Sequence, residues 1–167
     1  PKGAFVVTTG TDRRETGTHY TPKALTEAIV AETLTPIAYV GPAEGLPRAE
    51  WRLKPPAELL DLKICDPAMG SGHFLVALVD DLADRVLEAI ALATAQVNAA
   101  PWAAHLQEAG RPWQSPVLQR VAGIRAAIKA QARERGWAVT DAQLDDRHIV
   151  RRMVLKRCVY GVDKNPM

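Results

Sequence analysis

The chain has 167 residues, 47% of them hydrophobic and 24% charged, the profile of one soluble globular domain, which excludes a disordered chain and a collagen-like fibre. No run approaches the roughly 18 uninterrupted apolar residues of a membrane-spanning helix, and the N-terminus lacks a charged-then-apolar signal pattern, so a cytoplasmic location with no membrane partner is expected. The formal net charge of +2 is too small to argue for nucleic acid by itself, but it is unevenly spread: residues 1–110 carry 9 basic and 14 acidic side chains, and residues 111–157 carry 11 basic and 4 acidic ones.

Residues 1–21 are polar and irregular and read as a loop or arm. From Pro22 the apolar positions Leu25, Ile29, Val30, Leu34 and Ile37 take helical spacing, with Thr21 as N-cap, Pro22 at the first helical position, and Pro36 and Gly41 closing the helix. Residues 41–58 hold Pro42, Gly45, Pro47, Pro55 and Pro56 and read as a surface connection in which Trp51 shields the helix. Leu62-Lys63-Ile64-Cys65, ending in Asp66-Pro67, reads as a short strand running into a loop. A helix over about 73–98 follows from Phe74, Leu75, Leu78, Leu82, Val86, Ile90 and Val97. Pro101, Gly110, Pro112 and Pro116 then break the chain. Further helices are expected at about 117–135 and 141–157, the second capped by Thr140 or Asp141, and Cys158 to Asp163 reads as a second strand. Cys65 and Cys158 are too few for a disulfide framework and lack metal-ligand spacing, so both read as small buried residues and no metal site is expected. The chain begins at Pro1 without an initiator Met and stops after a turn-like Asn165-Pro166, which suggests a piece of a longer polypeptide.

Two strands separated by helix, each with polar residues at its carboxyl end, describe the start of a doubly wound α/β sheet whose ligands collect outside those ends. Three groups point there. Asp66-Pro67-Ala68-Met69-Gly70-Ser71-Gly72-His73-Phe74 is a strand leading through Gly-x-Gly into a helix, which brings bare backbone and free N–H groups to a ligand. It lacks the Lys-Ser/Thr of a Walker A loop, and Leu75 stands where a dinucleotide fingerprint has its third Gly. Tyr160-Gly161-Val162-Asp163-Lys164-Asn165-Pro166 ends a strand on a carboxylate able to hold both ribose hydroxyls of a nucleoside, although Asp163 lies 91 residues past Gly72 where roughly 20 is usual. Gly17-Thr18-His19-Tyr20-Thr21-Pro22 precedes the first helix and, taken alone, is also an ordinary helix entry. His73 reads as a helix N-terminal residue rather than a base. Arg147, Arg151, Arg152, Lys156 and Arg157 fit either a solvated helix face or contacts with DNA phosphate.

Together the three groups resemble the N6-adenine DNA methyltransferases, most closely the methylase part of large single-chain (Type IIG) restriction-modification and related phage-defence enzymes. Residues 17–22 look like motif X, 66–74 like motif I and 160–166 like the ribose-binding motif II; motif X before motif I matches the amino-methyltransferases. The resemblance implies a partial Rossmann-like, S-adenosyl-L-methionine-dependent fold. Its parts are a 1–21 arm with the motif X loop, a 22–98 first part of the cofactor-binding α/β domain, a 99–157 helical insertion, and a 158–167 second strand and ribose-binding turn. It implies a cofactor site on Thr18, Tyr20, Thr21, Pro22, Asp66, Pro67, Ala68, Gly70, Ser71, Gly72 and Phe74, with the ribose on Asp163 and the adenine beside Lys164. Methyl transfer in this family goes to an adenine flipped out of double-stranded DNA. The catalytic Asp/Asn/Ser-Pro-Pro-Tyr/Phe motif is absent: Lys54-Pro55-Pro56-Ala57 lacks both the polar residue before and the aromatic after. No catalytic residue is therefore assigned, and the remaining methylase half and a target-recognition region are expected elsewhere in the parent protein. The competing readings are a nicotinamide-dependent oxidoreductase and a non-enzymatic DNA-binding module built on the basic helices.

Overall fold

The computed structural model describes residues 21–163. The chain forms α1 (Lys23–Ala38), the antiparallel pair β1 (Tyr39–Val40) and β2 (Arg52–Leu53), α2 (Pro56–Leu59), β3 (Ile64–Asp66), α3 (His73–Asn98), α4 (Ala104–Glu108), α5 (Pro116–Arg135), α6 (Asp146–Arg157) and β4 (Val159–Gly161). Short 3₁₀ turns lie at Arg48–Glu50, Pro101–Ala103 and Asp141–Leu144. The fold is mixed α/β, and none of the described helices is long and apolar enough to cross a membrane.

The core is built around α3, whose Leu78, Leu82, Val86, Ala89 and Ile90 are buried at helical spacing. Against it lie α1, which buries the unbroken i, i+4 row Thr26, Val30, Leu34 and Ala38, and α6, which buries Ile149, Val150, Met153 and Val154. Leu59 and Leu60 close the cluster from the α2 side. Leu82, Val86, Val150 and Val154 are fully enclosed, each contributing roughly 1.5–3 kcal/mol of apolar burial. The basic α6 also meets the acidic flank of α3: Arg147 pairs with Asp84 and Arg151 with Asp80, both at 2.7 Å.

β3 and β4 pair in parallel, with Ile64 opposite Val159, Cys65 opposite Tyr160 and Asp66 opposite Gly161. Ile64 and Val159 pack toward the core, while Cys65 and Tyr160 are exposed. The strands expected at 62–65 and 158–163 are thus neighbours, joined through α3 to α6, and among the described residues the parallel sheet has these two strands.

Several local expectations are corrected. Thr21 does not cap α1: Pro22 holds the N-cap position with no side-chain cap, and Thr26 Oγ1 instead donates to the Pro22 carbonyl at 3.3 Å. Pro36 lies inside the last turn of α1 rather than ending it, because a proline there forfeits a single helical hydrogen bond. Residues 41–58 contribute β2, a 3₁₀ turn and the start of α2, and residues 99–115 contribute α4. The helix expected over 141–157 is two pieces. Thr140 and Gln143 form a capping box around the 3₁₀ turn, and Asp145, with φ −64° and ψ 166°, leaves helical geometry and caps α6 by accepting from the His148 N–H at 2.8 Å. Cys65 is exposed rather than buried, because β3 has one face uncovered.

Candidate functional site

Asp66 closes β3 and organises the loop that follows. Its Oδ1 accepts from the Ala68 N–H at 3.0 Å, an Asx-type turn that tightens the chain around Pro67. The Gly72 N–H then donates to the Met69 carbonyl at 2.8 Å, and the chain passes through left-handed backbone at Gly70 (φ 51°) and Gly72 (φ 76°) before α3 begins at His73. A side chain at either glycine is strained by that conformation, yet a Cβ would meet nothing within 4 Å, so the glycines face open space. The N-terminus of the 26-residue α3 has no side-chain cap and no acidic residue in its first turn. The loop therefore sits at the positive end of a long helix dipole. Pro67, Ala68 and Ser71 are exposed around it, and Phe74 is half-buried against the core.

β4 brings the second carboxylate alongside. With Asp66 and Gly161 in register, the Val162 N–H donates to the Asp66 carbonyl and the Met69 N–H to the Val162 carbonyl, both at 2.9 Å. Asp163 follows immediately and, like Asp66, is half-buried. The loop and Asp163 thus leave the carboxyl ends of two adjacent parallel strands. Gly161 and Met69, to which sequence reasoning assigned no role, meet here: a Cβ on Gly161 would collide with Met69 Sδ and come within 2.8 Å of Leu75 Cδ1. A glycine inside a strand is the signal that marks such a close approach.

The third group is described only at its end. Thr21 is half-buried and Pro22 exposed; Thr18, Tyr20 and Lys164 lie outside the described residues. A groove of about 690 Å³ runs between α1 and α3, with Lys23 and Thr26 on one wall and His73 and Ala77 on the other. The residues just after Thr21-Pro22 therefore share a groove with the start of α3.

The groups that the described residues bring together are two carboxylates, a glycine loop and a helix N-terminus, all of them able to hold a polar ligand. Cys158, just before β4, donates its thiol to the Leu60 carbonyl at 3.4 Å, and burial pushes that thiol up, which disfavours the nucleophilic thiolate. Among the described residues no group of three His, Cys, Asp or Glu side chains is placed to hold a metal. Of the basic set on α6, Arg147, Arg151 and Arg157 are engaged by Asp84, Asp80 and Asp61, while Arg152 and Lys156 are exposed. No protein-family model matches the chain, and neither a curated protein nor a solved structure matches it, so the functional reading rests on the residues of this site.

Proposed function

We propose that the chain is the S-adenosyl-L-methionine-binding part of a site-specific adenine-N6 DNA methyltransferase of a restriction-modification or phage-defence system. The observation that carries this reading is the pair Asp66 and Asp163 at the carboxyl ends of adjacent parallel strands, with the Gly70–Gly72 loop and an uncapped helix N-terminus between them. These groups suit the cofactor. A carboxylate beside the loop accepts from an ammonium group, the helix N-terminus favours a carboxylate, and Asp163 accepts two hydrogen bonds from a ribose diol. Open space above Gly70 and Gly72 lets a ligand approach bare backbone. When bound, the cofactor supplies an activated methyl group; the residues here hold and orient it. Double-stranded DNA, the catalytic Pro-Pro-aromatic motif and target recognition belong in this reading to the rest of the parent protein, in the cytoplasm.

A nicotinamide-dependent oxidoreductase fits less well, because Leu75 stands at the third-glycine position and packs over Gly161. A DNA-binding helical module is disfavoured by the internal pairing of Arg147, Arg151 and Arg157. Calorimetric titration separates the three. Saturable binding of S-adenosylmethionine or S-adenosylhomocysteine, without NAD binding, is expected; NAD alone, or salt-sensitive DNA binding with neither nucleotide, would overturn the proposal. Asp163→Ala should weaken S-adenosylhomocysteine binding roughly ten-fold or more, the loss of a charged bidentate hydrogen bond.

A further inference from the structure

We infer that Met69 and Gly161 form a lock that fixes the glycine loop to β4, which makes them positioning residues for the paired carboxylates Asp66 and Asp163; the consequence for ligand binding rests on the cofactor reading above.

Within the loop, the Asp66–Ala68 turn and the Gly72–Met69 bond set its shape. Pro67, Ala68 and Ser71 are exposed, and the space beside Gly70 and Gly72 is empty for 4 Å. Two backbone bonds on either side of Val162 tie the loop to the second strand, one from the Met69 N–H and one to the Asp66 carbonyl. The nearest atoms to a Cβ on Gly161 are side-chain atoms of Met69 and Leu75 rather than backbone. The Met69 side chain lies across the bare Cα of Gly161, with its Cγ 3.2 Å and the Leu75 Cδ1 2.8 Å from where a Cβ would stand. Three parts of the molecule, the loop, the first turn of α3 and the end of β4, therefore converge on one missing side chain. Gly161 has no positive φ to require a glycine, so close approach is the physical reason for it. An unbranched thioether suits the other half of the contact, because it conforms to an irregular gap.

The distance between the loop and Asp163 is then set before any ligand arrives. A loop with two left-handed glycines that had to be ordered on binding would subtract that ordering from the affinity. Met69 acts here through the loop's position, without itself supplying a polar group.

The test is a double-mutant cycle on the full 167-residue chain with Gly161→Ala, Met69→Ala and the pair, read by S-adenosylhomocysteine titration, thermal unfolding, and amide hydrogen exchange at Met69 and Val162 with Leu82 as the core reference. Gly161→Ala should weaken binding about ten-fold in the native background and less than about two-fold beside Met69→Ala, where the contact with Met69 is gone and only the tip of Leu75 has to yield. Met69→Leu should bind as the native protein does. Exchange at Met69 and Val162 should quicken in Gly161→Ala and in Met69→Ala while Leu82 stays protected. Equal effects of Gly161→Ala in both backgrounds, or unchanged exchange at Met69 and Val162, would overturn the lock. Failure of the native chain to bind S-adenosylhomocysteine would sink the cofactor reading instead, and the exchange rates would still decide on the lock.

Discussion

Cys65 and Cys158 flank the same pair of strands and differ in everything that governs a thiol's reactivity. Cys65 points from the open face of β3, whereas Cys158 is buried, donates to the Leu60 carbonyl and has its thiol pushed up by burial, against the opposing pull of Lys63 and Arg157. Because the thiolate is the reactive form, an aromatic disulfide reagent at neutral pH should titrate one thiol in the native protein and two after denaturation. Two thiols reacting at equal rates before unfolding would contradict this burial. Composition had suggested two equivalent buried cysteines. What separates them is that Cys65 lies on the exposed side of β3 whereas Cys158 is the C-cap of α6, set against the Leu59 and Leu60 carbonyls, a packing that composition does not reveal. The glycines divide in the same way: Gly70 and Gly72 are set by local backbone conformation and were legible beside Asp66 in the sequence, whereas Gly161 is set by Met69 and Leu75, far away along the chain.

α3 and α6 show why some elements were legible and others were not. The helix expected over 73–98 runs from His73 to Asn98, because its apolar positions recur over seven turns and Gly72 marks its start. The expected 141–157 helix breaks, because Thr140, Asp141 and Asp145 are all capping residue types and a sequence does not say which one is used. β1 and β2 have two residues each, too few for alternation to register. The cap on α6 carries a pH signature. The Asp145 carboxyl is held below its ordinary value of 3.8, first by the His148 backbone N–H and then by the His148 ring, whose Nδ1 lies 2.7 Å from Oδ1. A carboxyl depressed on folding contributes stability that is complete above the unfolded value and is lost as pH falls through the lower folded value. The native protein should therefore unfold at a higher temperature than Asp145→Ala near neutral pH, and the gap should narrow as acid takes the pH below 3.8. A gap of constant size on acidification would show that the ionised carboxylate is not what holds the turn. Circular dichroism melts at a series of pH values measure it.

At the scale of the molecule, the uneven charge of the sequence resolves into internal pairing: the acidic flank of α3 and Asp61 meet Arg147, Arg151 and Arg157 of α6. At half-exposed sites such pairs add little stability, but they occupy cations that a DNA-binding reading would otherwise use. The candidate site was legible where it is local, at Asp66, Gly70, Gly72 and Asp163. That the two segments would become neighbours followed from the parallel-strand expectation, which β3 and β4 meet. In the reading proposed above, these residues hold a methyl donor, and the motif that the family uses to hold an acceptor is missing from the sequence. No Asp/Asn/Ser-Pro-Pro-Tyr/Phe motif is present, and Pro55-Pro56 follows β2, not β3 or β4, and leads into the short α2, where Pro56 is buried. Transfer requires the adenine amino group held in line with the methyl. Such positioning is worth up to roughly 7–11 kcal/mol, and each factor of ten in rate is about 1.4 kcal/mol, so its loss should leave no detectable turnover. The 167-residue chain should therefore bind the cofactor yet transfer no labelled methyl group to adenine-containing duplex DNA. Incorporation above a no-protein control would mean that an amino-group holder lies within these residues, and the site would then have to be read as catalytic as well as cofactor-binding.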